Sequence, residues 1–530
     1  MRMEEYCVGI DLGTTYSCLA YLDEDGSPVV EKNFEQEDAT PSVILFNENG
    51  EIIVGSPAKD MAVMYSPERV VTAIKRHMGT EYELELDGNR YTPITLSAAI
   101  LKKMVNDFNE NHGTELKRAV ITCPAYFGQN ERDATKAAGR VAGLEEVTII
   151  NEPTAAAISF GFGAEPDEKR RVMVYDLGGG TFDVTILEID GPAFTAVATD
   201  GERLLGGKDW DLVVSKLIKE KVSAEADIPM EDLDDDEDVK QALILDSETI
   251  KKRLSTAEST KGTLTAGGTK VVYTITRAEF EAASASLMET TLEIIQRVLD
   301  SKGFTMSDID EIILVGGSSR MPQVKNGITE RFPGADLKLF DPDQSVAKGA
   351  SVFGYSYGWG GEASAAAMAV ASGEAVGRIG GGELSVHNVL SKSFGIKAIY
   401  ENGAEQISNI IFRNEVLPIE AVKTYYPVED GQTTIKVEIY EDSADNREGG
   451  ERTDLIDGYQ VGEFEMNLPQ GVTKDTAITV RFTASDEGIL TATVDCMDSR
   501  TEYQLKNRLQ MSDSDIEQSQ GLMEKVTNAN

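Results

Sequence analysis

A phrase that occurs twice limits what this chain can fold into more than any other feature. Val8-Gly9-Ile10-Asp11-Leu12-Gly13-Thr14-Thr15 returns as Val174-Tyr175-Asp176-Leu177-Gly178-Gly179-Gly180-Thr181-Phe182-Asp183. Each copy is an apolar run, an aspartate and a Gly/Thr turn, followed by a second strand-like stretch over residues 17–22 and 184–189. Glycine reaches the backbone angles of a tight turn, and its missing Cβ lets a phosphate lie against amide N–H groups. The aspartate beside each turn is a hard oxygen ligand of the kind Mg2+ takes. Two such hairpins face to face would clamp a nucleoside triphosphate between the halves of a duplicated fold.

Other phosphate-binding folds fit less well. A Rossmann or P-loop site needs its glycine turn to open a helix, whereas residues 182–189 are β-branched and apolar and read as a strand. No G-x-x-x-x-G-K-[ST] occurs; residues 201–208 come near it, but Asp209 follows. Two ordinary Asp-Gly hairpins are the plain alternative, and the repetition weighs against them. A third element, Ile312-Ile313-Leu314-Val315-Gly316-Gly317-Ser318-Ser319-Arg320-Met321-Pro322, is a buried strand entering a Gly-Gly turn, where backbone can approach a flat adenine or ribose.

With these three elements in this order the chain resembles the DnaK-type seventy-kilodalton heat-shock chaperones, within the actin and sugar-kinase ATPase superfamily. The resemblance runs from residue 6 to about 508. It includes Thr40-Pro41-Ser42, Ala73-Ile74-Lys75-Arg76, Ile121-Thr122-Cys123-Pro124-Ala125-Tyr126-Phe127, Ile149-Ile150-Asn151-Glu152-Pro153-Thr154-Ala155-Ala156-Ala157 and Leu205-Gly206-Gly207-Lys208-Asp209. Actins and sugar kinases share the hairpins but not these phrases. The implied fold class is a duplicated α/β actin-like ATPase domain with ribonuclease-H-like halves, then an antiparallel β-sandwich and a short C-terminal helix.

Charge and cysteine content bound the partners. Ninety-one acidic against 50 basic residues give a formal net charge of −41. That balance argues against a nucleic-acid surface, where Lys and Arg must displace counterions, and against an anionic membrane face. Cys7, Cys18, Cys123 and Cys496 form no C-x-x-C pair, and His77, His112 and His387 are the only histidines, so neither a zinc site nor a disulfide scaffold is expected. Cys18 follows the first turn, where oxidation would block a nucleotide, but a small buried residue is the simpler reading. No basic leader with a long apolar core and no run of about 18 apolar residues occurs, so a cytoplasmic location is expected.

Along the chain, residues 1–357 alternate strand and helix patterns and are expected to form the nucleotide-binding unit. Helices are expected over 97–108, 131–142 and 246–254, and the acidic run 231–238 reads as a solvated loop. Residues 358–389 are a Gly/Ala-rich extension and linker, with at most a short helix over 363–371. Residues 390–508 alternate like the strands of a β-sandwich. Residues 509–530 read as the start of a truncated helical lid, opened by a Ser514–Glu517 capping box.

Carried over residue by residue, the resemblance implies an ATP/ADP site. Asp11, Asp176 and Asp183 would surround Mg2+, largely through water. Thr14, Thr15, Gly178, Gly179, Gly180 and Thr181 would contact the β- and γ-phosphates, and Gly13 and Tyr16 would also belong to the nucleotide site. Lys75 would neutralise γ-phosphate charge, and Glu152 would position water; by itself Glu152 could simply cap the helix that follows. Such positioning and charge stabilisation is what phosphoryl transfer requires. Gly206, Gly207, Glu248, Lys251, Lys252, Ser255, Gly316, Gly317, Ser318, Arg320 and Asp343 would line the nucleotide further, with K+ as an additional ion. Glu248 and Lys252 are also an ordinary i,i+4 helix pair, and Lys252 stands where many relatives have Arg, which weakens stacking on adenine. Phe394, Ile399, Tyr425, Val428, Ile435 and Val437 match a groove for extended apolar peptides. Ile435, Val437 and Ile439 share one strand face, which on sequence alone is the sandwich core.

Three departures stand out. The interdomain linker reads Leu384-Ser385-Val386-His387-Asn388-Val389, where relatives have a leucine-rich run ending in Asp. Thr148 replaces a basic J-domain contact, although Arg132 remains at another. The stretch after Leu509 is short, so no latch over a bound peptide is expected, and removing residues 511–530 should leave peptide release unchanged. The function implied is an ATP-hydrolysing chaperone that binds unfolded clients, served by a J-domain cochaperone and a nucleotide exchange factor. The alternatives are an ATP-gated scaffold and, against the phrases above, a small-molecule kinase or actin-like filament protein.

Overall fold

The computed structural model of the chain describes residues 6–161, 169–356, 384–400, 402–442, 451–485, 488–505 and 511–527. The Gly/Ala-rich stretch and its expected helix lie outside the described residues.

The repeated phrase builds two sheets of matching topology. In the first lobe, strands Glu146–Asn151 and Arg118–Cys123 run parallel to Cys7–Asp11, which turns back antiparallel into Tyr16–Leu22 and then Pro28–Val30. In the second lobe, Leu337–Leu339 and Glu311–Val315 run parallel to Arg170–Leu177, which turns into Phe182–Asp190 and Ala193–Glu202. Each parallel neighbour is reached through a helical crossover, as a βαβ connection demands. The central strands are apolar throughout, such as Val172, Met173, Val174 and Tyr175 at 0% exposure, because helices cover both faces.

Helices Glu152–Gly161 and Ser345–Ser356 cross between the lobes and share one core with both sheets, through Ala155, Ile158, Val174, Ile313, Val346 and Ala350. The crossing depends on absent side chains. A Cβ on Gly349 would run into the Ala155 carbonyl, and one on Gly9 into the backbone of Ala347 and Ser351.

After the lobes, the described strands from Phe394–Ile399 to Ser499–Gln504 form two antiparallel sheets that enclose Phe394, Ile396, Val437, Ile439, Val480, Phe482 and Val494. The linker does not simply bridge to them. Strand Ser385–His387 adds in parallel to Ala193–Thr195 and becomes the sixth strand of the second lobe's sheet. Helix Asp513–Met523 packs on the first lobe, burying Ile516 and Met523 in that lobe's core.

Two local readings need correction. The acidic run 231–238 is helical: Met230–Asp235 is anchored by buried Leu233, and Asp236 caps Glu237–Thr256 by accepting from the amides of Asp238 and Val239. Acidic residues at helix N-termini satisfy orphan N–H groups and suit the helix dipole, which the charge count alone does not reveal. The last helix is capped by Ser512 and Asp515, not by Ser514 and Glu517, because Ser512 is the last extended residue before it.

Since Gly349 sits at the closest approach of the two crossing helices, Gly349→Ala is expected to destabilise the chain by roughly 1–3 kcal/mol or more. Denaturant unfolding followed by circular dichroism measures this directly, and an unchanged midpoint would contradict the packing argument.

Candidate active site

The two glycine turns meet across the cleft between the lobes. A Cβ on Gly179 would run into the Thr15 side chain, and one on Gly180 into that of Thr14. Each turn is braced from behind. In the first, Gly13 N donates to Ser17 Oγ (3.2 Å), and Ser42 Oγ donates to Gly13 O (2.8 Å) while its own amide reaches Thr15 O (2.8 Å). In the second, the amides of Gly207 and Lys208 donate to Gly178 O (2.9 Å) and Gly179 O (2.8 Å). This explains why Thr40-Pro41-Ser42 and Leu205-Gly206-Gly207-Lys208-Asp209 accompany the turns: both hold them in shape.

Behind the turns lies a set of buried charges. Lys75 Nζ donates to Glu152 Oε1, and both side chains are almost fully enclosed. Burial alone would lower the Lys75 pKa, but the carboxylates of Glu152 and Asp11 outweigh it and hold it above the ordinary value. Asp11 Oδ1 accepts from Thr122 Oγ1 at 3.2 Å. Burial, then repulsion from Glu152, pushes the Asp11 carboxyl up to about 7. Burial and the same repulsion raise Asp176 and Asp183 well above the usual carboxylate range. Asp183 Oδ2 accepts from the Ala125 amide (3.3 Å), while its Oδ1 and the Thr15 hydroxyl are buried without a hydrogen-bond partner. An excess of buried carboxylate over cation, with orphaned oxygens beside it, is what a hard cation would relieve. Among the described residues no three His, Cys, Asp or Glu side chains converge closely enough to hold a metal ion directly.

The remaining expected nucleotide residues fall into two groups. Lys251 Nζ donates to Gly207 O (2.7 Å) and Ser255 Oγ to Lys251 O (3.3 Å), and a Cβ on Gly207 would meet Ser318. Gly316, at φ +78°, passes against Asp176 and Leu177, a conformation and closeness open only to glycine. A Cβ on Gly317 would lie 3.0 Å from Asp343, which pairs with Arg320 at 2.5 Å. At the cleft mouth, Glu248 joins Lys252 (2.8 Å) and Lys59 (2.7 Å), with Tyr16 OH accepting from both lysines. Burial opposes ionisation of Glu248, yet these partners hold its pKa at about 2. Gly206 opens the helix Gly207–Ala226, its amide donating to Asp209 Oδ2 at 2.8 Å.

Several residues escaped the sequence reading. Lys59 bridges from the first lobe to Glu248 on the second. Arg76 Nε donates to Gly180 O (2.9 Å) and its Nη2 to Asp209 (2.6 Å), while Arg203 from the second lobe donates back to the carbonyls of Arg76 and Met78 and pairs with Glu131. These paired crossings grip the short helix Ile74–His77, and Ala73 enters it at φ +56°. The adjacency of Arg76 to Lys75 was the available signal; Arg203 had none, since its partners, two backbone carbonyls and Glu131, lie far away in sequence.

In the sandwich the expected groove residues separate. Phe394 belongs to the buried core, and so do Val437 and Ile439, as the plain reading of their strand face has it; Tyr425 and Ile435 pack partly on it. Ile399 and Val428 are exposed. Asn388 links linker and site: its Oδ1 accepts from Asn151 Nδ2 (3.1 Å) and Thr154 Oγ1 (3.3 Å), and Arg132 donates to Asn151 Oδ1 (2.7 Å). Asn151 immediately precedes Glu152. Thr148 sits within the strand Glu146–Asn151, opposite Val120. All four cysteines are buried free thiols, and burial raises the Cys18 thiol far above its ordinary range.

A family model described as Hsp70 protein matches residues 7–530. The chain is similar to proteins named chaperone protein DnaK. That of Thermosipho melanesiensis is 36% identical over 525 residues, covering 97% of this chain and 82% of the relative. That of Thermosipho africanus is 37% identical over the same length, with the same coverage. That of Thermotoga petrophila is 39% identical over 498 residues, covering 92% of this chain and 78% of the relative.

Two outcomes test this geometry. Asp11 titrates near 7 when folded against an ordinary 3.8, so between those values the folded chain holds a proton that the unfolded chain has released. Its contribution to stability is therefore full at acid pH and is lost as pH rises through 7. Without nucleotide, the melting temperature of Asp11→Asn relative to wild type is expected to climb from about pH 5 to about pH 8 by calorimetry. Separately, replacing Arg76 and Arg203 together by alanine is expected to slow single-turnover ATP hydrolysis by about 10²-fold with the far-ultraviolet spectrum unchanged, since both grip the segment carrying Lys75.

Proposed function

The chain belongs to the Hsp70 family, and from that premise we propose how its parts divide the work. It is an ATP-dependent molecular chaperone: it binds nucleotide, hydrolyses ATP and binds client polypeptides. In our reading residues 1–357 are the ATPase unit, 358–389 the extension and linker, 390–508 the peptide-binding sandwich and 509–530 the beginning of the helical segment after it. The observation that carries this division is the meeting of two glycine turns beside the buried Lys75–Glu152 pair.

We assign the nucleotide phosphates to the two turns. Mg2+ would sit among Asp11, Asp176 and Asp183; the orphaned Asp183 oxygen and the raised carboxyls favour a cation there, and their spacing favours contact through water. Bound there, the ion would supply charge neutralisation for the phosphates. Lys75 would offset charge growing on the γ-phosphate, and Glu152, held by Lys75, would orient the attacking water. K+ would be a further counterion. The adenosine would lie between the Glu248–Lys252 helix face and the 316–320 turn, with Arg320 and Asp343 at its edge. The exposed pair Ile399 and Val428 would contact an extended apolar peptide, the buried Phe394 and Val437 shaping the floor beneath it.

Partners and place follow the same reading. A J-domain cochaperone would engage near Arg132 and the linker, diverged because Thr148 and Asn388 lack the charges found in relatives. A nucleotide exchange factor would open the Lys59–Glu248 closure. A cytoplasmic location is proposed; among the described residues no helix is long and apolar enough to cross a membrane. An uncoupled scaffold is less well supported, because Leu384 and Val386 still pack on the interlobe core and the linker still pairs as a strand.

The test is release of a fluorescent apolar peptide with and without ATP. Release is expected to accelerate at least tenfold with ATP, while Lys75→Ala slows hydrolysis by roughly 10²–10³-fold yet keeps the ATP-triggered release. Release indifferent to ATP would instead support the scaffold.

A further inference from the structure

We propose that the buried pair Lys103–Asp107 on helix Pro93–His112 is a positioning pair for ATP hydrolysis, acting through Asn33 and Thr40 on the first phosphate turn. The effect on hydrolysis rests on the assignment of the phosphates to that turn; the relay itself rests on hydrogen bonds.

These two charges stand deep in the first lobe and take no part in the cleft. Both side chains are only 2% exposed, and Lys103 Nζ donates to Asp107 Oδ2 at 2.6 Å and to Glu35 Oε2 at 3.0 Å. Asp107 Oδ2 also accepts from the backbone amide of Phe34 (3.1 Å), while its Oδ1 is buried without a hydrogen-bond partner. A buried ion pair contributes little to a fold by itself. What this one does is pin one point of the loop between strands Pro28–Val30 and Thr40–Pro41. The last turn of the helix holds the start of the same loop, where Glu31 meets His112 (2.8 Å) and Asn111 (2.7 Å).

From Phe34 the path to the phosphate turn is short. Asn33 closes the loop on itself: its Oδ1 accepts from the Glu37 amide (2.8 Å), and its own amide donates to Glu37 O (3.0 Å). Its Nδ2 donates to Thr40 Oγ1 at 3.2 Å, and both residues are buried. Thr40 and Pro41 pair with Ser17 and Tyr16, the residues that directly follow the turn. Ser42 then holds Gly13 O and Thr15 O.

The same helix steadies Lys75. Near its start Ser97 Oγ donates to Met78 Sδ at 4.0 Å, and Ile74 and Met78 share one core with Ile94 and Leu101. One helix thus ties to the lysine segment near its beginning and to the phosphate turn near its end. A misplacement of about 1 Å is enough to cost about 10²-fold in rate, so a rigid spacer between these groups bears directly on turnover.

The experiment uses the full chain. Asp107→Ala would leave Lys103 buried and unpaired, so the acceptor is removed together with the charge, as Lys103→Met plus Asp107→Leu. This paired variant, Thr40→Val and their combination are compared by single-turnover ATP hydrolysis and by the Kd of a fluorescent ADP analogue. The paired variant and Thr40→Val are each expected to slow hydrolysis about tenfold and to weaken ADP less than about threefold. Because both break one relay, their combination is expected to be no slower than the slower of the two. Asp107→Asn, which keeps an acceptor for the Phe34 amide, is expected to recover most of the rate even where its melting temperature falls. Hydrogen exchange at the Ser42 amide, which bonds to Thr15, is expected to rise in the paired variant. Losses that multiply, equal losses of hydrolysis and ADP binding, no recovery in Asp107→Asn, or unchanged Ser42 exchange would each overturn the proposal. Thr14→Val hydrolysing ATP at the wild-type rate would count against placing the phosphates at this turn, and Ser42 exchange would still decide the relay.

Discussion

Everything in this molecule follows from how closely two glycine turns are brought together. The side chains of Thr14 and Thr15 fill the space that side chains on Gly180 and Gly179 would take. That approach requires two sheets of the same topology, and it requires helices Glu152–Gly161 and Ser345–Ser356 to cross without a side chain at Gly349. Rotation of one lobe on the other is felt at once where the turns meet. The Arg76 and Arg203 crossings add a second constraint, since each donates from one lobe to backbone of the other.

The acidity of the chain has two separate meanings. Among the described residues, acidic side chains such as Glu231, Asp232, Asp234 and Asp235 are exposed, where water and salt screen their charge. In the cleft the same charge is buried, and there it is costly: Asp11, Asp176 and Asp183 are all pushed toward holding a proton, with Lys75 as the cation among them. A buried group of this kind gains little for the fold by itself. Its energetic sense lies in what it would bind, and this is the physical argument for a cation accompanying the nucleotide.

Much of this was legible from the sequence, and the exceptions share a cause. The duplicated hairpins, the helix over Pro93–His112 and the strands Thr434–Asp442 and Ile478–Ala484 follow from local pattern, because periodicity and turn residues are local properties. The family phrases carried the cleft residues, since each phrase is one continuous turn or helix start. What the pattern could not reveal is pairing across distance. Arg203 acts on carbonyls more than a hundred residues away. The acidic run 231–238 hid a helix because one Leu233 was enough to anchor it. The polar residues in the linker hide an apolar contact, because alternation along it turns Leu384 and Val386 toward the core and Ser385 and His387 the other way.

The sandwich is thus attached to the rest of the chain at both of its ends, and the two attachments go to different lobes. Its entry strand Ser385–His387 extends the second lobe's sheet, while its exit leads to the helix and strand seated on the first. Between them, Arg413 reaches Asp200 of the second lobe, and Asn388 bonds to the residue next to Glu152. Asn388 matters here because its carboxamide is neutral. A carboxylate at this place would meet the Asn151 amide and the Thr154 hydroxyl with a full charge, and letting go would break charge-assisted bonds. A neutral amide makes the same geometry with a smaller penalty for letting go, since hydrogen bonds between uncharged partners are about half as strong as charge-assisted ones. A linker bonded this way is held by the same geometry at a smaller free-energy cost of separation.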